Sequence, residues 1–172
     1  MDKNFSESTF ILLSLESIKY ILSKSIPNDQ QKAQITELGI HLGEKIANYL
    51  MNSQFKSNVN QDFNNINTIL NFLCEKVWNF IFAKKATKRQ EQRAYYIDTT
   101  DIKLHSYLVT SNKNQDDTIN CVLWFIEGII KGVLISFNVN CDVGSNYAKE
   151  NSKSSDLFNI QYIYSFKISL LD

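Results

Sequence analysis

The chain has 172 residues, of which 44% are apolar and 21% are charged, which is the balance of a soluble globular protein. Basic and acidic residues number 18 each, so the formal net charge is zero. Long-range electrostatics therefore argue against nucleic acid or an anionic membrane surface as the main partner. At this length, residues 1–172 most simply form one domain.

The cysteines and histidines give no reason to expect a metal site. Cys74, Cys121 and Cys141 lie far apart, and two of them fall within apolar segments. This pattern indicates buried, reduced thiols in a cytoplasmic protein. His41 and His105 are the only histidines, and a zinc site would have to recruit nearly all of these scattered residues.

A first helix is predicted from about Ser6 to Ser25, and Pro27 ends it. Its apolar residues form two stripes. One stripe consists of Ile11, Leu15, Ile18 and Leu22, and the other of Phe10, Leu13, Tyr20 and Ile21. One stripe can face the chain's own core, but two stripes require a second buried surface, and a partner protein is the simplest source.

A second helix is predicted from about Asp29 to Asn52, with Gly39 and Gly43 one turn apart. Glycine inside a helix costs roughly 1 kcal/mol relative to alanine. Either another backbone approaches closely there, or the two glycines are tolerated without a role. The predicted partner interface combines the two helices and consists of Ile11, Leu15, Ile18, Leu22, Leu38, Gly39, Leu42, Gly43 and Ile46.

A third helix is predicted from about Asn65 to Lys85, and a basic cluster follows its end. The cluster consists of Lys84, Lys85, Lys88, Arg89 and Arg93. Cations are favourable at a helix C-terminus, so a solvated helix end is one interpretation. A contact with a membrane or with an acidic partner is the other.

The rest of the chain alternates short strands with one helix. Strands are predicted at residues 94–99 and 103–110, joined by a turn at residues 98–101, and at residues 137–143 and 160–170. Residues 116–118 are expected to cap a fourth, nearly all-apolar helix over residues 119–136. Residues 144–158 are polar and predict a long, mobile loop. The element order is ααα-ββ-α-ββ.

No motif in the sequence supports catalysis. There is no phosphate-binding glycine loop, no dinucleotide fingerprint and no nucleophile elbow. Neither His41 nor His105 belongs to a paired motif, and each is expected to be structural or exposed. The sequence therefore predicts a protein without catalytic residues or a cofactor.

Three segments carry a resemblance to a known family. They are Leu38-Gly-Ile-His-Leu-Gly-Glu-Lys-Ile46, the stretch from Phe63 to Trp78 with the following Phe82-Ala-Lys-Lys85, and Gly128-Ile-Ile-Lys-Gly-Val-Leu134 followed by Val139-Asn-Cys-Asp-Val143. In this order and spacing they resemble the small core subunits of the TRAPP vesicle-tethering complex, of the sixth-subunit type. The long stretch at residues 144–158 departs from the family pattern.

The resemblance implies a fold and a role. The fold is a layer of about four helices on one side of a four-stranded antiparallel sheet. The role is a non-catalytic scaffold in a complex that promotes nucleotide exchange on a Rab GTPase in ER-to-Golgi traffic. It also implies heterodimerisation with a paralogous subunit of the third-subunit type, contacts with other TRAPP subunits, an indirect link to the Rab, and a cytoplasmic location at early Golgi and ER membranes. In isolation the chain is expected to form a homodimer or to aggregate.

An alternative interpretation is a stand-alone module of related fold that binds a small molecule or an acyl chain. The third-subunit type carries an acylated cysteine just before the phenylalanine that leads into the third helix. The matching position here is Asn60, and an amide cannot form that thioester. The sequence therefore predicts no covalent acylation at this position.

Overall fold

The structure is a computed structural model that describes residues 3–55, 63–100, 102, 115–151 and 160–171, with the side chains of the first helix from residue 12 onward. The described part contains four helices, α1 to α4, which span Lys3–Ser23, Asn28–Phe55, residues 66–82 and Gln115–Ile135. Within α3, Leu73–Val77 forms a π-helical turn between two α-helical parts. Pro27 lies in the connection between α1 and α2, as predicted.

In the described residues, four strands form one antiparallel sheet. They are Thr87–Glu91 (β1), Ala94–Thr100 (β2), Cys141–Asn151 (β3) and Ile160–Leu170 (β4). The strand order is β1-β2-β4-β3, so β4 lies between the second and third strands. This arrangement of helices and a four-stranded antiparallel sheet confirms the predicted fold class.

One face of the sheet is buried by the helices. Along β4, Tyr162, Tyr164, Phe166 and Ile168 are buried, whereas the alternate residues are partly or fully exposed. The indole ring of Trp78 in α3 lies 5.8 Å from the ring of Phe166. Helix α4 packs on β3, α2 packs on α4, and α1 lies on α2. The helices therefore lie on the inner face, and charged and hydroxyl side chains occupy the outer face.

Helix α4 is central, as its all-round apolar sequence predicts. By length and composition alone it could cross a membrane, yet 78% of its apolar window is buried inside the fold. Its polar residues meet partners on β3: the Ser145 hydroxyl donates to the Glu127 carboxylate at 2.5 Å, and Lys131 lies 3.5 Å from Asp142. These contacts fit a helix packed within protein.

The first hairpin lies earlier in the chain than predicted. Residues 98–100 belong to β2, where Asp98, Thr99 and Thr100 pair with β4, so they do not form a turn. The turn instead follows β1, and Gln92 adopts the left-handed conformation with φ 52°. Strand β1 was missed because its five residues are all exposed and polar, and the ladder to β2 holds them through the backbone. The strand predicted at residues 103–110 lies outside the described residues.

Strand β3 begins later and runs further than predicted. Residues 137–140 leave the end of α4, where Asn138 has φ 57° and the Val139 N–H donates to the Leu134 carbonyl at 3.0 Å. The strand then continues through Gly144 to Asn151, in the stretch predicted to be a loop, because β4 offers a matching antiparallel edge. Residues 152–159 lie outside the described residues. Asp116 and Asp117 lie in the first turn of α4 and do not precede it.

Candidate partner-binding surface

The glycines of α2 mark a close helix crossing within this chain. A Cβ atom at Gly39 would collide with the Phe125 carbonyl oxygen, and one at Gly43 with the Ile129 carbonyl oxygen. On α4, Gly128 and Gly132 are in the same position against the backbone of α2. The prediction that another backbone approaches these glycines is confirmed. That backbone is α4 of the same chain, so Gly39 and Gly43 are not free to contact a partner in this fold.

The structure also corrects the apolar part of the predicted interface. Leu15 and Ile18 on α1, and Leu42 and Ile46 on α2, are at most 6% exposed and lie in the chain's own core. They pack inward because α2 packs on the apolar helix α4, and α1 packs on α2 and on the end of α3. Leu22 and Leu38 are partly buried against the same core, and the side chain of Ile11 is not described. For these three residues the interface stays a prediction.

The second stripe of α1 is divided: Ile21 is buried in the core, whereas Leu13 and Tyr20 face away from it, and the side chain of Phe10 is not described. Leu12, Leu13 and Tyr20 are 54%, 62% and 64% exposed, and Leu13 and Tyr20 are two helical turns apart on one face. We call these three residues the α1 surface. The two-stripe pattern of the sequence had pointed to Leu13 and Tyr20, but the pattern could not tell which stripe would be buried.

The residues of the basic cluster contact different parts of the chain. Lys85 lies 4.0 Å from Glu75, and the Lys88 ammonium donates to the backbone carbonyl and side-chain oxygen of Asn67 at 3.3 and 3.2 Å. Lys84 is partly buried and has an interaction of its own. Lys88 and Arg89 lie in β1 and Arg93 in the turn that follows it, but Lys88 and Arg89 point to opposite faces of the sheet. The five residues therefore do not form a continuous basic patch.

Arg89 is the centre of a polar network on the outer face of the sheet. Its guanidinium donates to Asp98 at 2.6 Å and also to Glu91, and it lies 4.1 Å from the centre of the Tyr96 ring. The pKa of Arg89 lies above its ordinary value, and the main cause is the hydrogen bond to Asp98. This cation is occupied by its own chain, which leaves Arg93 as the cluster member available to a partner.

The described residues offer no arrangement for metal binding or nucleophilic chemistry. Among them, no group of three or more His, Cys, Asp and Glu side chains could hold a metal ion. His41 is exposed on α2 near Glu37 and Glu44, and His105 lies outside the described residues. All three cysteines are buried thiols, and burial raises the pKa of Cys74 to about 12 and raises that of Cys141. Such thiols are poor nucleophiles at neutral pH.

Comparison with known protein families identifies the chain. Residues 10–163 match the model of the family described as "Transport protein particle (TRAPP) component". The chain belongs to the TRAPP component family. Components of this family are generally non-catalytic scaffold subunits, and membership supports a role as a subunit of a vesicle-tethering complex, with other TRAPP subunits as partners.

The fold of this TRAPP component is similar to that of a solved TRAPP subunit. A trafficking protein particle complex subunit 3 from Naegleria fowleri, covalently bound to palmitic acid, is similar at a TM-score of 0.61 and 10% identity, over 99% of this chain and 98% of that one. A mutant of the H-NOX protein of T. tengcongensis is similar at a TM-score of 0.43 and 10% identity, over 100% and 98% of the two chains. A search of curated protein sequences found no match.

Proposed function

We propose that this TRAPP component is a non-catalytic adaptor of the sixth-subunit type that heterodimerises with a paralogous subunit of the third-subunit type. The observation that carries the proposal is the α1 surface, where Leu12, Leu13 and Tyr20 stand more than half exposed. Large apolar side chains grouped on one face of a helix usually mark an interface. Because the opposite stripe of α1 is already buried in this chain, the α1 surface is the part of the helix left for a second protein.

The expected energy of this contact supports pairing but does not account for it alone. Full burial of a leucine or aromatic side chain contributes roughly 1.5–3 kcal/mol relative to exposure. Because Leu12, Leu13 and Tyr20 are 54%, 62% and 64% exposed, their burial contributes roughly 3–5 kcal/mol in total, and a lasting complex also needs contacts from residues around them. In isolation the chain is therefore expected to form a homodimer or to aggregate.

The wider role follows from the same proposal. As a scaffold, the chain would hold its paralogue within a complex that promotes nucleotide exchange on a Rab GTPase in ER-to-Golgi traffic, at the cytoplasmic side of early Golgi and ER membranes. The Rab would be contacted by other subunits. The family membership supports the coarse part of this role, and the partner and the Rab are inferred.

Acylation is not part of the proposed role. The related subunit 3 structure is covalently bound to palmitic acid. In this chain Asn60 stands at the matching position, and the three cysteines are buried. We therefore expect the purified chain to have its unmodified mass. A hydroxylamine-sensitive mass increase on Cys74, Cys121 or Cys141 would contradict this expectation.

The test of pairing uses variants on the two stripes of α1. The double variant Leu13→Asp with Tyr20→Asp should keep the circular dichroism spectrum of the wild type but fail to co-elute with a co-expressed third-subunit-type paralogue. Leu171→Asp is the matched control, because it replaces an exposed apolar residue after β4, 44% exposed, and should still pair. Light scattering on the eluted peaks measures the stoichiometry.

Ile18→Asp separates the two stripes. Ile18 is 0% exposed in the chain's own core, so an aspartate there should unfold the chain before any effect on pairing can be measured. The proposal is wrong if the wild type stays monomeric at high concentration and does not bind its paralogues. It is also wrong if the Leu13→Asp, Tyr20→Asp variant pairs as the wild type does.

A further inference from the structure

The outer face of the sheet carries a groove where β1 turns into β2. Its volume is about 690 Å³, and it lies at the end of the sheet that also holds the last residues of β4. The residues that form it include Arg93, Ala94, Tyr96, Lys167, Ser169 and Leu170. Register explains the grouping, because Tyr96 pairs with Lys167 and Ala94 pairs with Ser169, and paired residues share one face.

Two cations of this groove have no acidic partner in the described part of the chain. Glu91 lines the groove, and Asp98 and Asp142 lie near it on the same face of the sheet. Glu91 and Asp98 form ion pairs with Arg89, and Asp142 forms one with Lys131 at 3.5 Å. Arg93 and Lys167 form no ion pair with any described residue, and both are exposed. The groove therefore presents two free positive charges beside the aromatic ring of Tyr96.

We propose that this groove binds an acidic peptide segment of a partner protein in an extended conformation. The carboxylates of the segment would pair with Arg93 and Lys167, and the planar guanidinium can hold one of them through two parallel hydrogen bonds. An apolar side chain of the same segment would lie against Tyr96. The site is on the opposite side of the fold from the helices, so it does not depend on pairing through α1.

Charge complementarity favours a peptide over an anionic membrane. Arg89, Arg93 and Lys167 are three positive charges around the groove, and Glu91, Asp98 and Asp142 are three negative ones, so the net charge there is zero. A flat anionic bilayer would meet the three carboxylates as well as the cations, and the whole chain has zero net charge to attract it. A narrow peptide can contact the two unpaired cations, while the carboxylates stay paired with Arg89 and Lys131.

The test measures binding of a fluorescein-labelled peptide of aspartate, glutamate and leucine to the full chain by fluorescence anisotropy. The control peptide has asparagine and glutamine in place of the acids. We expect the acidic peptide to bind and the neutral one not to, with affinity falling as salt is raised because the contacts are exposed. The double variant Arg93→Glu with Lys167→Glu should weaken binding by about tenfold or more, since it replaces two attractions with two repulsions.

The matched control is Lys45→Glu with Lys76→Glu, which changes the net charge equally at exposed lysines on α2 and α3 and should bind as the wild type. Arg93→Gln with Lys167→Gln, which removes charge without reversing it, guards against a folding defect and should give a smaller loss. The proposal is overturned if the wild type does not bind the acidic peptide, or binds the neutral peptide equally. Equal losses in both charge-reversed variants also overturn it, as does binding only to phosphatidylcholine vesicles that contain phosphatidylserine.

Discussion

The hydroxyl of Thr36 is a buried polar group at the α2–α4 crossing. Its Oγ1 atom has no hydrogen-bond partner among the described residues, and the backbone of Thr36 touches Gly128. A buried polar atom without a partner keeps its desolvation cost. Thr36→Val has nearly the same shape and removes that atom. We expect the free energy of unfolding in urea to stay unchanged or to rise by up to about 1 kcal/mol.

Thr36→Ser is the matched control for this change. It keeps the hydroxyl and deletes the methyl group, so it should lose about 1 kcal/mol of stability. A clear loss of stability in Thr36→Val would mean that the hydroxyl makes a favourable interaction.

A second residue-scale prediction concerns Asp116, which joins α4 to β3. Its carboxylate accepts hydrogen bonds from the Lys149 ammonium at 2.9 Å and from the Tyr147 hydroxyl at 2.8 Å. The hydrogen bond from Lys149, and then that from Tyr147, lowers the pKa of Asp116 below its ordinary value. A lowered folded pKa means that this carboxylate stabilises the fold above its unfolded pKa, and that the contribution disappears as pH falls through the folded pKa.

Asp116→Asn should therefore be less stable than the wild type at neutral pH, and the difference should shrink toward zero in acid, below the ordinary aspartate pKa. Thermal unfolding followed by circular dichroism across this pH range measures it. Lys149→Met should add little loss in the Asp116→Asn background, because the two residues act as a pair. A stability difference between Asp116→Asn and the wild type that is the same at all pH values would contradict the stabilising role of the Asp116 carboxylate.

At the scale of elements, the close α2–α4 crossing leaves no room for larger side chains at its glycines. Gly43→Ala should destabilise the chain by about 2 kcal/mol, because the added Cβ meets the Ile129 backbone and the helices must move apart. The gain in helix propensity, roughly 1 kcal/mol, offsets only part of the strain. Denaturant unfolding measures the change.

Gly144→Ala is the matched control for the crossing. A Cβ at Gly144 in β3 meets nothing within 4 Å, and this glycine has no positive φ. The free energy of unfolding of the Gly144→Ala variant should stay within about 0.5 kcal/mol of that of the wild type. Equal effects of the two substitutions would show that the crossing is looser than the structure has it.

At the scale of the whole molecule, the scaffold role predicts no exchange activity by the chain alone. Among the described residues, no metal cluster or activated nucleophile is present, and the proposed partner surface lies on α1. The purified chain should leave the rate of fluorescent-nucleotide release from candidate Rab GTPases unchanged. A complex with its paralogue and the remaining subunits is the positive control. Robust acceleration by the isolated chain would contradict the role.

The sequence by itself determined the order of the helices, the strands β2 and β4, the lack of a catalytic motif and the two-sided character of α1. Periodicity carries this information because apolar residues recur at the spacing of a helix or a strand. The glycines of α2 also predicted a close backbone contact, because glycine inside a helix is destabilising and is favoured only where another backbone leaves no room for a Cβ atom.

Only the tertiary structure decided which surfaces are buried. It turned Leu15 and Ile18 inward and left Leu13 and Tyr20 outside, because α1 packs on α2 and on the end of α3, and a helical pattern does not say which stripe meets them. It also extended β3 and created β1, whose polar residues are held by backbone hydrogen bonds that leave no mark in the side-chain pattern. The groove between Arg93 and Lys167 exists only because β2 and β4, far apart in sequence, pair in this register.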